Sequence, residues 1–247
     1  MPDFKGVGYR EKDIIGNMNA NSPSPQNWLV ISRRHPSAIL LAAQLVSLAL
    51  YVALDGVPVG PYILGVFGML VLLLVVWVVI HSPAVSWIAW IMAGLAVFLS
   101  VMSWLLASSS LLAWATLLEG ALYFYGAGGL IIYMMRDEHV TADDLFAAGA
   151  TFTLLAWGFA YMYMVCQAWS PGAFTYATHP REPLSFVEML SLSFTNLSAT
   201  GLSDITATSS PSRVLVMLEQ FAGVAYIAVV VSRLIGLTIS RQQDKTK

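Results

Sequence analysis

Apolar and polar positions separate into long blocks along this chain instead of alternating. Apolar runs of about 20 residues, the length a helix needs to cross a bilayer, fall near 37–54, 61–81, 84–107, 111–135, 144–168 and 213–239. The breaks carry their own chemistry: DGVPVGP follows the first run, and HSP follows the second, where Ser82 can cap a helix and Pro83 takes its first position. SSS at 108–110 is the weakest break, and whether the third and fourth runs are separate helices turns on it. Residues 169–212 are too polar to span. Inside them LSFVEMLSLSFTNL predicts a helix over 185–197, too short to cross, with Ser185 and Glu188 in the S-x-x-E spacing of a capping box. The order is thus helix, outer loop, half-length helix, polar loop, helix. Irregular backbone at membrane depth is tolerated only where protein buries it or where it lines a water-filled path.

Composition changes the picture little. The chain has 247 residues, 57% hydrophobic and 11% charged, with mean hydropathy +0.71, whereas soluble domains run near one quarter charged. Cys166 is the single cysteine, so no intrachain disulfide forms, and it reads as a small apolar helix residue. The N-terminus shows no short apolar stretch with a cleavage site. Charge placement says more. Lys5, Arg10, Lys12, Arg33, Arg34, Arg136, Arg233, Arg241, Lys245 and Lys247 fall on one side of a six-span chain, and only Arg181 and Arg213 fall on the other. By the positive-inside rule both termini are cytoplasmic, in a multi-pass protein of the inner or plasma membrane.

The predicted fold is an all-α membrane protein, with six transmembrane helices and a re-entrant pore helix and filter loop between the fifth and sixth. Its parts are an N-terminal tail (1–35), a four-helix domain (36–135), a cytoplasmic linker (136–143), a pore domain (144–240) and a short tail (241–247).

SFTNLSATGLSDITATSSPSRVLVMLEQFAGVAYIAVVVSRLIGL, at 193–237, resembles the pore region of tetrameric potassium channels, especially bacterial six-span ones. Their filter reads T-V-G-Y-G-D or T-L-G-Y-G-D, followed by Ile, a Pro-containing turn and an inner helix ending like A-R-L-V-G-L. The resemblance covers 144–239 without gaps; residues 1–140 match only in having four spans. It implies that Ala199, Thr200, Gly201, Leu202 and Ser203 are the ion filter, with backbone carbonyls replacing the ion's hydration shell and four chains around one axis. Asp204 stands at the outer mouth, and the short helix aims its negative end at the cavity. Gly201 and Asp204 match the motif. Ala199 replaces the filter threonine and Leu202 the bracing tyrosine. Ser203 replaces a glycine of unusual backbone conformation, at an expected cost of about 1–2 kcal/mol. A second register puts Thr200 on the threonine with one residue deleted. ATGLSD is also similar to the single-glycine filters of Trk/Ktr transporters, which carry four pore loops in one chain.

Other residues admit two readings each. Ser198, Asn196 and Glu219 are filter-support candidates; Glu219 either braces the filter or senses protons, or is a structural hydrogen-bonder at a subunit contact. Glu119 has no obvious partner in the sequence and reads as a neutral packing residue or a protonation switch. Ser185 and Glu188 cap the pore helix. Gly223 is a candidate hinge or a packing site, and Gly126, Gly128 and Gly129 read as packing positions. NLS at 196–198 fits a glycosylation sequon but falls in the pore region. His35, His81, His139 and His179 are scattered, no cluster has metal-ligand spacing, and no hydrolase or nucleotide-binding motif occurs.

The function read from these residues is a tetrameric pore-loop cation channel, not an enzyme. It has no cofactor, passes monovalent cations (potassium, sodium) with weak selectivity, binds no nucleic acid, and assembles as a homotetramer in the lipid bilayer. No Lys or Arg occurs from residue 35 to 135, so a voltage sensor, which needs several charges worth about 2.3 kcal/mol per 100 mV each, is excluded. With only a few residues after the last span, no cytoplasmic ligand domain is expected. The rival reading is a non-conducting membrane scaffold or sensor that retains the channel fold.

Overall fold

The computed structural model describes residues 36–54, 86–136, 141–177 and 183–244, with further helical positions at 68, 70, 71, 73–75 and 77. The tails at 1–35 and 245–247, most of the predicted second span, the middle of the 136–143 linker, Arg181 and all four histidines lie outside them. The described residues all belong to one unit, His35–Lys247. Its elements in chain order are α1 (Pro36–Ala53), α2 (Ser86–Leu106), α3 (Ser109–Arg136), α4 (Ala142–Trp169), β1 (Phe174–Tyr176), α5 (Phe186–Leu197), β2 (Ile205–Ala207) and α6 (Ser210–Asp244).

Among the described residues four stretches are long and apolar enough to cross a membrane: Trp87–Leu106, Ser109–Arg136, Asp143–Trp169 and Ser210–Val230. Ser37–Tyr51 is a shorter apolar helix. The break at SSS separates α2 from α3. Ala107 takes a left-handed φ of 47° there, and Ser108 N donates back to Ser103 O at 3.1 Å. The structure is mostly helical, as expected of an all-α membrane protein, with a short antiparallel ladder β1–β2 that pairs Phe174 with Ala207 and Tyr176 with Ile205. Three-residue strands leave too little alternation to read in a sequence.

Helix α4 is the centre. It packs against α1, α3, α5 and α6, and 56% of its span is buried against 22% for α2 and α6. Trp157, Tyr163, Leu154 and Ala160 fill the core from α4, with Leu190, Met189 and Leu197 from α5. By contrast Trp87, Trp90, Phe98 and Trp104 of α2 face outward, as suits a helix against lipid. Gly126 packs closely: a Cβ there would stand 2.5 Å from Val75 Cγ1. Gly128 differs from the sequence expectation, since nothing lies within 4 Å of a Cβ added to it.

Both ends of α4 are tied. At its start Thr141 and Asp144 form a capping box, with Thr141 N donating to Asp144 Oδ2 at 2.7 Å. Buried Asp143 accepts from Ser37 N (3.3 Å), Ser37 Oγ (2.9 Å) and Tyr133 OH (3.2 Å), so one carboxylate caps α1 and holds the end of α3. A carboxylate at a helix N-terminus also meets its positive dipole end. Replacing Asp143 with Ala strands these donors, and we expect a loss of about 2 kcal/mol, read as a lower thermal midpoint in detergent. An unchanged midpoint would show that the junction is held by packing alone.

Candidate functional site

The site is the polar loop Ser198–Asp204 with the elements that hold it. The chain leaves α4, forms β1, enters α5, passes through the loop, returns along β1 as β2 and starts α6. Ala177 N donates to Asp204 O at 2.8 Å and Thr208 N to Ala173 O at 3.0 Å, extending the ladder at both ends. Helix α6 begins with a reciprocal pair: Ser212 N donates to Ser209 Oγ (3.3 Å) and Ser209 N to Ser212 Oγ (3.1 Å). Arg213 Nε reaches back to Ala207 O at 3.2 Å.

Three contacts fix the entry to α5. Ser185 Oγ accepts from Glu188 N at 3.4 Å while Glu188 Oε2 accepts from Ser185 N at 2.6 Å, the two halves of a capping box. Tyr176 OH donates to Glu188 Oε1 at 2.7 Å, tying β1 to that cap. The amide of Gln167 donates to Leu184 O and accepts from Leu184 N, both at 2.9 Å, docking the approach to α5 onto α4. Phe186 then seats its ring among Tyr161, Tyr51 and Trp157, at centroid distances of 4.9, 5.8 and 5.9 Å.

The exit from α5 is a Schellman turn. Thr200 N donates to Thr195 O and Ala199 N to Asn196 O, both at 3.0 Å, with Ala199 at φ 57°. Gly201 N (3.2 Å), Thr200 Oγ1 (3.2 Å) and Ser198 Oγ (3.3 Å) converge on the same Thr195 carbonyl. Thr200 and Ser198 also pair through their hydroxyls at 3.0 Å. The last turn of α5 therefore spends its carbonyls on its own loop.

This geometry moves the strain predicted in the loop. The expected left-handed residue was Ser203, but among the described loop residues only Ala199 and Gly201 (φ 63°) are left-handed. Ser203 instead accepts from Ile205 N through its Oγ at 3.1 Å, a local turn bond that a serine makes and a glycine cannot. Ala199 carries the penalty because the αL position after a helix favours glycine. Leu202 is 85% exposed at the tip, nothing lies within 4 Å of a Cβ on Gly201, and Asp204 is exposed beside them.

Behind the loop the other candidates meet. Glu219, fully buried on α6, contacts Ser193 Oγ of α5 and Tyr163 OH of α4 by hydrogen bonds. Asn196 Nδ2 donates to Tyr163 OH at 3.4 Å, which places the sequon asparagine indoors. Gly223 lies against the end of α5: a Cβ there would stand 2.0 Å from Leu197 O. Glu119 lies apart, in the α2–α3–α4 region, hydrogen-bonded by Ser100 (3.4 Å) and Tyr161. The sequence reading missed Tyr163, Ser193, Gln167 and Tyr176. Their one signal was polar atoms at positions inside or beside apolar runs.

A family model described as "Ion channel" matches residues 120–239, from the second half of α3 through α6. Comparison with curated proteins and with solved structures gave no match. The matched family is one of pore-forming channels, not of enzymes.

Two substitutions test this geometry. Ala199→Gly should stabilise the protein by about 1 kcal/mol, since only the left-handed penalty is removed. Gly223→Ala should destabilise it by about 2 kcal/mol, because the methyl collides with backbone that cannot rotate away. Thermal midpoints in detergent read both; no gain from Ala199→Gly, or no loss from Gly223→Ala, would mean that the loop or α6 is placed differently.

Proposed function

We propose that four copies of this chain assemble about one axis into a cation channel, each supplying α5 and the Ser198–Asp204 loop to a shared pore. The observation that carries this reading is the loop's asymmetry. One side is pinned by α4, α6 and the β1–β2 ladder, while Leu202 and Gly201 stand bare at the tip. A single loop cannot enclose a path, and rotational symmetry is how identical chains close one. The match to the ion-channel family over this region supports the same conclusion.

In that assembly the permeant species are monovalent cations, potassium and sodium, moving down their gradient with no bond made or broken. Backbone carbonyls of Thr200 to Ser203 supply the oxygen lining, and Asp204 attracts cations to the outer mouth. Discrimination between the two ions is weak. Thr195 O already accepts from Thr200, Gly201 and Ser198, Ala199 is the left-handed residue of the helix-ending turn, and Leu202 has no hydroxyl to brace the loop. The chain crosses the membrane six times with both termini cytoplasmic, as its Lys and Arg placement favours, and its first four spans have no Lys or Arg with which to sense voltage.

Bi-ionic reversal potentials of the purified protein in planar bilayers test this reading. The potassium-to-sodium permeability ratio should lie nearer one than about one hundred, the range of filters with several intact carbonyl sites. Open probability should change little with voltage, and native mass spectrometry in mild detergent should show a tetramer. Absence of any cation current from a folded tetramer would favour the rival reading of a non-conducting scaffold.

A further inference from the structure

Behind the loop a run of polar groups crosses three helices, and counting hydrogens along it fixes which group donates. Asn196 Nδ2 meets Tyr163 OH at 3.4 Å, and Tyr163 OH meets Glu219 Oε2. Glu219 Oε1 meets Ser193 Oγ, and Ser193 Oγ meets Ala156 O at 2.7 Å. These four contacts need four hydrogens. Asn196, Tyr163 and Ser193 bring one each, and the Ala156 carbonyl brings none. The fourth has to sit on Glu219. With an ionised carboxylate, the single hydroxyl hydrogen of Ser193 must choose between Ala156 O and Glu219, and the other pair is left as two bare oxygens in contact.

The surroundings agree with the count. Ser193, Tyr163 and Glu219 have no exposed surface, and a buried carboxylate without a cation is strongly disfavoured. From α4 the titratable side chains facing Glu219 are Tyr163 and, nearby, Cys166. On α5 its neighbours are Ser193 and Asn196, while Glu188 lies at the opposite end of that helix in its own cap. Strand β2 carries no titratable group, and one turn either way on α6 are Leu215, Val216, Ala222 and Gly223. Arg213, at the start of α6, donates to Ala207 O instead.

We propose that Glu219 is a neutral, protonated positioning residue. Its O–H donates to Ser193 and its other oxygen accepts from Tyr163, which locks α6 to α5 and α4 just before the loop. Removing the proton opens the lock. Gly223, one turn further along α6, lies against Leu197 O, so the ionised state frees the very junction from which Ser198–Asp204 projects. The consequence for permeation rests on the channel reading above; the protonation does not. The sign follows directly: the lock holds while Glu219 is protonated and is lost as pH rises through its ionisation.

Glu219→Gln is the informative variant, because a carboxamide donates to Ser193 and accepts from Tyr163 as the neutral acid does. Difference infrared spectra of purified wild-type and variant protein at neutral pH should show a protonated-carboxyl C=O band that the variant lacks. The thermal midpoint of the Gln variant should match wild type, while Glu219→Asp, too short to reach both partners, lowers it. Cation flux in liposomes should change on alkalinisation in wild type and stay flat in the Gln variant. No carboxyl band difference, or a Gln variant that fails to fold, overturns the proposal. A lost band with identical flux profiles overturns the permeation half. A lost band with no flux in either protein counts against the channel reading and leaves the protonated lock standing.

Discussion

Helix α5 has 12 residues and so rises about 18 Å, well short of the roughly 30 Å of a bilayer's hydrocarbon core. In the proposed re-entrant arrangement its free N–H groups and carbonyls fall where water is scarce, and each one left unmatched is costly. The rest of this region is arranged around that constraint. At the entry, Ser185 and Glu188 satisfy each other's backbone and Gln167 of α4 closes on Leu184. At the exit, the chain folds back so that Thr195 and Asn196 carbonyls receive Thr200 and Ala199. The β1–β2 ladder closes the circuit by bringing the two flanking segments together.

The exit turn sets what the loop can be. A Schellman turn demands a left-handed residue directly after the helix cap, and here, after the cap Ser198, that residue is Ala199. A second left-handed residue follows at Gly201, where no side chain is required to bear the cost. Between them Thr200 uses both its N–H and its hydroxyl on Thr195 O. The first part of the loop is thus committed to ending the helix, and only the stretch from Gly201 outward projects freely. That division, more than any single substituted side chain, is the physical ground on which weak ion discrimination is proposed.

Much of this was legible in the sequence because it depends on local chemistry. The capping box at Ser185 and Glu188 needs only its spacing, and spans read as 84–107, 111–135 and 144–168 correspond to α2, α3 and α4 within a few residues. Glu219 stood out as an acid in an apolar helix. What stayed hidden depends on contacts distant in sequence. Tyr163 and Ser193 become meaningful only when α4, α5 and α6 converge on Glu219, and Asp143 only when α1 arrives to be capped. The left-handed site was misplaced at Ser203 because an expectation taken from a filter motif overrode the helix-ending signal. That signal lies in Thr195–Gly201, and an alanine at its key position conceals it.

The central claim is that ions pass along the bare face of the Ser198–Asp204 loop. Its most direct test is Leu202→Cys in a background with the buried Cys166 replaced by Ala, reconstituted in liposomes and treated with a membrane-impermeant cationic thiol reagent. The account predicts that modification blocks cation flux in the Leu202→Cys protein and leaves its parent unaffected. Complete labelling of Cys at that position with flux undiminished would place the ion path elsewhere and contradict it.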